Sequence, residues 1–135
     1  MGVAALTIQP ITGASMKFLI VEDDTVASID LECILEDLGH TVADVAVSPV
    51  FALNAMRKVD VDAVIFGATV VGLPPYVLAD EVRRRGLPCA VTSSHPAEFA
   101  RILGFKMPFL HKPYEPGEVA RVVSELGGGS VATAA

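Results

Sequence analysis

The chain has 135 residues and a formal net charge of −6, and 52% of its residues are hydrophobic. That length suits one domain with a substantial core. The acidic balance, with no basic block, argues against nucleic acid or an anionic membrane as a partner. No apolar run approaches the ~20 residues of a membrane span.

The two cysteines, Cys33 and Cys89, have no CxxC spacing, and both read as reduced, buried small hydrophobes of a cytoplasmic protein. Residues 1–15 mix small and apolar side chains without period and lack the charged start of a secretion signal. They read as a poorly ordered extension, with Met16 directly before the first strand. Residues 17–22 then set Phe18, Leu19, Ile20 and Val21 in a row, the pattern of a parallel strand buried on both faces. Asp24 or Thr25 caps the helix that follows. Its apolar residues Val26, Ile29, Leu31, Cys33, Ile34, Leu35 and Leu38 make a wide face, and Gly39 ends it.

A second strand is predicted over 41–47. Ser48 and Pro49 then open a second helix, N-cap followed by proline at the first helical position, which reaches Lys58. Residues 63–66 form a short buried third strand, and a Gly- and Pro-rich loop covers 67–75. The third helix spans 76–85, closed by Gly86, with Arg83, Arg84 and Arg85 where positive charge suits the helix dipole. A fourth strand follows at 88–93, a weaker helix at 96–103, a brief fifth strand at 108–110 and a last helix at 115–126. Residues 127–135 are a Gly/Ser/Ala tail, flexible by composition.

Strand and helix thus alternate five times. That order implies a parallel sheet with helices on both faces, and in so small a domain a flavodoxin-like doubly wound sheet of order 2-1-3-4-5. Its site lies at the carboxyl ends of the first and third strands, which sets Glu22 and Asp23 beside Gly67. Carboxylates clustered at a strand end suit a hard divalent cation.

On these residues the chain resembles the receiver domain of two-component response regulators. The match is carried by Glu22-Asp23 after strand one, Ser93 after strand four, and His111-Lys112-Pro113-Tyr114 after strand five. Phe109, three residues before Lys112, stands at the family's switch-aromatic position. The resemblance covers residues 16–126, and Pro88 to Ser94 is similar to the PFxFATGY subgroup, often stand-alone domains of stress pathways, with Cys89 for Phe and Ser94 for Gly. In that family the acidic pair holds magnesium and an aspartate ending the third strand accepts a phosphoryl group from a histidine kinase. The lysine and the hydroxyl contact the phosphoryl oxygens.

Here the acceptor position is Gly67. Asp62 begins the same strand, about 15 Å away at ~3.3 Å per residue, and Thr69 is a loop hydroxyl with no base beside it. Two readings of Gly67 are open: a glycine convenient for a bulge, or a receiver site without its nucleophile. Without a third carboxylate, magnesium is expected to bind Glu22 and Asp23 weakly or not at all. Lys112 then pairs with Glu22 or Asp23. Ser93 reads equally as a strand-end hydroxyl or a switch, and Phe109 as core or gate. His95 and His111 have no neighbours at ligand spacing.

The expected function is that of a pseudo-receiver: no enzyme, no cofactor, and contact with a protein partner, either a histidine kinase or a downstream regulator, through residues 96–126. The alternatives are phosphorylation at an unconventional residue and a small ligand held in the vacant sheet-edge pocket.

Overall fold

The computed structural model describes residues 15–72, 74–95, 97 and 107–127. The expected extension up to residue 14, the tail from residue 128 and, apart from Ala97, the helix expected over 96–103 lie outside them. Five strands form one parallel sheet: β1 (Lys17–Val21), β2 (Thr41–Ala46), β3 (Ala63–Gly67), β4 (Cys89–Ser93) and β5 (Phe109–His111). Their order is β2-β1-β3-β4-β5, as the β-α alternation implies. Helices α1 (Thr25–Asp37), α2 (Pro49–Lys58), α3 (Pro75–Arg84) and α4 (Pro116–Leu126) complete the described elements.

Alternation along each strand sorts the core into two layers. Phe18 and Ile20 of β1, Ile65 of β3 and Ala90 of β4 face Leu31 and Leu35 of α1 and Val119 and Val122 of α4. Leu19, Val21, Val64, Phe66 and Val91 face the opposite way, onto Ala52 of α2 and Leu78 and Val82 of α3. Each fully buried Val, Leu, Ile or Phe stabilises the fold by about 1.5–3 kcal/mol. The central strands, buried on both sides, therefore fix the register.

Several local features follow from side-chain chemistry. Asp24 is the N-cap of α1, its Oδ1 accepting from the N–H groups of Val26 at 3.0 Å and Ala27 at 3.2 Å. The β1–β2 register slips between Phe18 and Leu19, and the Asp44 carboxylate accepts the Val45 N–H at 2.8 Å. A register irregularity and a charge on the outermost strand both discourage pairing with another chain. Asp62 lies at the amino-terminal edge, where it accepts the Lys17 N–H at 2.8 Å. It is thus at the far end of the sheet from Gly67.

Two expectations about α1 are corrected. The helix buries Ser28, Leu31, Ile34 and Leu35. The wide apolar face does not form, because Val26 is 78% exposed, Ile29 54% and Leu38 36%. Cys33 is exposed too, and only Cys89 is buried. One helix face can lie against the sheet, and the residues at 26, 29 and 33 form a second stripe pointing away from it. Boundaries shift by a residue or so elsewhere: β3 includes Gly67, β5 runs to His111, and α3 starts at Pro75.

Candidate functional site

The carboxyl-terminal edge collects the residues singled out in the sequence. Val21 pairs with Phe66 across β1 and β3, and Gly67 with Thr92 across β3 and β4. Glu22 and Gly67 therefore follow on neighbouring strands. Glu22 is 4% exposed. Its Oε1 accepts from Lys112 Nζ at 2.7 Å, and its Oε2 accepts the Asp24 N–H at 3.0 Å. Both carboxylate oxygens of Glu22 are thus engaged inside the protein. A Cβ placed on Gly67 would lie 3.1 Å from Glu22 Oε1 and 3.1 Å from Val70 Cγ2. The Glu22 side chain borders the space that a side chain at position 67 would need.

The remaining positions differ in their environments. Asp23 is exposed at the same edge. Ser93 is buried, and its hydroxyl turns onto its own loop: Oγ accepts the His95 N–H at 3.0 Å and donates to the His95 carbonyl at 3.4 Å. The Lys112 N–H donates to the Ser93 carbonyl at 3.1 Å, which ties the ends of β4 and β5 together. The Lys112–Pro113 peptide bond is cis. Phe109 is half-buried against the layer of α2 and α3, with the His111 ring edge-on at 5.1 Å. Thr69 is exposed on the loop after β3.

The comparisons with known proteins come from structure. No family model matches the sequence, and no curated protein does. Among solved structures, a response regulator from Chloroflexus aurantiacus J-10-fl is 30% identical with a TM-score of 0.74. The match covers 84% of this chain and 98% of that one. The chain belongs to the response-regulator receiver family. The receiver domain of the sensor histidine kinase PA1611 from Pseudomonas aeruginosa PAO1 shares the receiver fold at 24% identity and a TM-score of 0.73, over 85% of this chain and 99% of that one. That structure holds a magnesium ion in its active-site cleft. The response regulator PhyR from Brucella abortus shares the fold at 23% identity and a TM-score of 0.74 over 89% of this chain, which spans 52% of PhyR.

Membership in the receiver family raises the question of magnesium, and several carboxylate oxygens at this edge are engaged within the protein, whereas Asp23 is exposed. One oxygen of Glu22 is spent on Lys112 and the other on a backbone N–H. Asp24 Oδ1 is spent capping α1. Position 67 supplies no carboxylate. Among the described residues, no group of three or more His, Cys, Asp or Glu side chains is placed to share a metal ion.

The receiver edge also contains residues that sequence reasoning left without a role. A groove of about 810 Å3 runs beside α1, lined by Asp23, Asp30 and Ile29 on one side and Lys112 and Tyr114 on the other. Burial pushes the Tyr114 phenol up to about 12; Thr92 opposes the shift, and the charges of Glu22, Asp30 and Asp24 add to it. The buried Thr92 Oγ1 makes no hydrogen bond that meets ordinary geometry. The heptad-like spacing of Val26, Ile29 and Cys33 is the sequence signal that locates this groove wall.

Proposed function

We propose that this receiver works as a pseudo-receiver, a signalling module that acts through protein contact without accepting a phosphoryl group at the usual position. The observation that carries this reading is Gly67 at the end of β3, beside a Glu22 carboxylate already paired with Lys112 at 2.7 Å. A glycine has no atom to bear the group. The lysine that would stabilise an incoming phosphoryl oxygen is engaged by an internal counter-charge. In such a chain the carboxylates no longer serve a metal, and the recognition surface is a fixed feature of the sequence. The partner is a protein, either a histidine kinase or a downstream regulator. No helix among the described residues is long and apolar enough to cross a membrane.

Part of the surface drawn from the family resemblance, residues 96–126, lies outside the described residues. Within the described part, β5 and α4 present His111, whose N–H donates to Glu118 at 3.3 Å, and Arg121, which pairs with Glu125 at 2.6 Å. The deciding experiment is incubation of the full chain with acetyl phosphate and magnesium, followed by intact mass. The expected spectrum shows the unmodified mass alone. A stoichiometric gain of one phosphoryl group, mapped to Thr69 or another residue of this edge, would replace the reading with phosphorylation at an unconventional residue.

A further inference from the structure

A second groove lies away from the receiver edge, between β2 and α2. It has a volume of about 310 Å3, with Val45 and Val47 of the β2 end on one wall and Phe51, Asn54 and Ala55 of α2 on the other. Phe51 is 57% exposed and Val47 54%. Apolar surface gathered in a concave place marks a contact site more often than single exposed residues do. The two charged residues of the groove, Asp44 and Lys58, are exposed and opposite in sign. The groove therefore has no net charge and suits an uncharged apolar occupant. β2 is the outermost strand of the sheet, and the Asp44 carboxylate already accepts the Val45 N–H at 2.8 Å. An occupant is thus held through side chains rather than through a strand ladder.

The chain itself supplies a segment of that chemistry. Residues 1–14 contain no charged side chain, and Leu6 and Ile8 stand two apart, which puts both on one side of an extended segment. The point where this segment joins the fold is fixed beside the start of β2. Ser15 Oγ donates to the Gly39 carbonyl at 3.0 Å, and the Met16 N–H donates to His40 Nδ1 at 3.0 Å. The Thr41 N–H in turn donates to the Met16 carbonyl at 2.9 Å. From there the groove is about 10 Å sideways, two strand spacings, and at most about 17 Å along β2. Ile8 and Leu6 precede Ser15 by seven and nine residues. Extended chain of that length reaches about 23–30 Å. So short a tether holds the segment at an effective concentration of about millimolar, so that a few apolar contacts suffice.

We propose that the segment before Ser15 folds back along β2 and seats Leu6 and Ile8 in this groove, against Val47 and Phe51 of the same molecule. The contact covers the outer strand and closes the β2–α2 groove to other chains. It goes beyond the pseudo-receiver reading and does not depend on it, since Glu22, Gly67 and Lys112 lie outside this groove.

The test uses the full chain with Gln9→Cys carrying a nitroxide spin label and Cys33→Ser removing the exposed natural thiol. Cys89 is buried and stays unlabelled. Amide NMR spectra are recorded with the label oxidised and after its reduction by ascorbate. Amides of residues 44–47 and 51–58 are expected to lose most of their intensity with the oxidised label and to regain it on reduction. Residues 109–111, on the opposite edge of the sheet, should keep theirs. Either Phe51→Ser or the paired change Leu6→Ser with Ile8→Ser should restore the groove signals while the label is still oxidised. A second sample mixes isotopically silent labelled chain with isotope-labelled chain that carries no nitroxide, and its groove signals should stay at full intensity. Equal broadening in the mixed sample would make the occupant a second copy and overturn the proposal. Broadening that is absent, is spread evenly over the domain, or survives both sets of serine variants would overturn it as well.

Discussion

A carboxylate as buried as Glu22 needs a partner, and Lys112 supplies it at 2.7 Å while keeping 19% of its side chain in water. Removing one member of a buried pair costs about 3–5 kcal/mol because the other charge is stranded. The partial exposure of Lys112 places Lys112→Met near the lower end, about 3 kcal/mol. Adding Glu22→Gln should recover most of that loss, since a neutral amide still accepts the Asp24 N–H and leaves no charge stranded. Urea denaturation of the single and double variants checks this. A single variant within about 0.5 kcal/mol of wild type would mean that the pair behaves as a surface bridge. The pairing is legible in the sequence, because a lysine and a carboxylate meet at one sheet edge when the intervening aspartate is glycine. The turn of Ser93 onto His95 is not legible, since a strand-end serine reads the same whichever way its hydroxyl points. Thr92 is missed for a related reason: alternation buries it, but only packing shows its hydroxyl beside the Tyr114 phenol.

At the scale of elements, the strands are legible in the sequence and the inward face of α1 is not. Continuous apolar runs such as Val64-Ile65-Phe66 admit one interpretation in a doubly wound sheet. The apolar residues of α1 admit two, because positions 26, 29 and 33 and positions 28, 31 and 35 each follow helical spacing. The stripe that includes Ser28 won the core, with the Ser28 hydroxyl satisfied by the Thr25 carbonyl at 3.0 Å. Cys33 falls on the losing stripe, and thiol labelling reports which face is outward. A maleimide should add once to the native chain, at Cys33, and a second time at Cys89 only after unfolding. Cys89 is buried in β4, where burial pushes its thiol up against the weaker opposing effect of Arg83. Two rapid additions to the folded chain, counted by intact mass, would contradict this assignment.

The junction of α1 with β2 carries a pH dependence. His40 Nδ1 accepts the Met16 N–H at 3.0 Å, its ring meets Phe18 edge-on at 5.5 Å, and burial lowers its pKa. The unfolded chain takes up this proton near the ordinary imidazole value of about 6.5, and the folded chain resists it until a lower pH. Between those values the unfolded state binds more protons, so stability rises with pH. The contribution is complete above the unfolded value and is lost as pH falls through the depressed folded one. His40→Asn keeps an acceptor for the Met16 N–H without titrating there. It should therefore flatten this part of the stability profile in denaturant melts from neutral to mildly acidic pH. An unchanged slope would assign the dependence to other groups.

For the whole molecule, the question is whether a receiver fold with glycine at the end of β3 responds to magnesium. Binding to the native state alone raises the melting temperature, with the logarithm of ligand concentration over Kd. Magnesium should therefore leave the wild-type melting temperature where sodium at matched ionic strength leaves it. Gly67→Asp makes the complementary case. Its Cβ would stand 3.1 Å from Glu22 Oε1, so the new carboxylate crowds an existing one and competes for Lys112. Without metal, the variant should lose about 1–3 kcal/mol through crowding and like-charge repulsion. With magnesium, three carboxylates at one strand edge can share the ion, and much of that loss should return. The contrast is the informative measurement: a melting temperature that rises with magnesium in Gly67→Asp and stays level in wild type. A comparable rise in both would show that Glu22 leaves Lys112 to bind metal, and that the edge still behaves as a receiver site. No rise in either would show that the Glu22–Lys112 pair outcompetes the ion even when the third carboxylate is present.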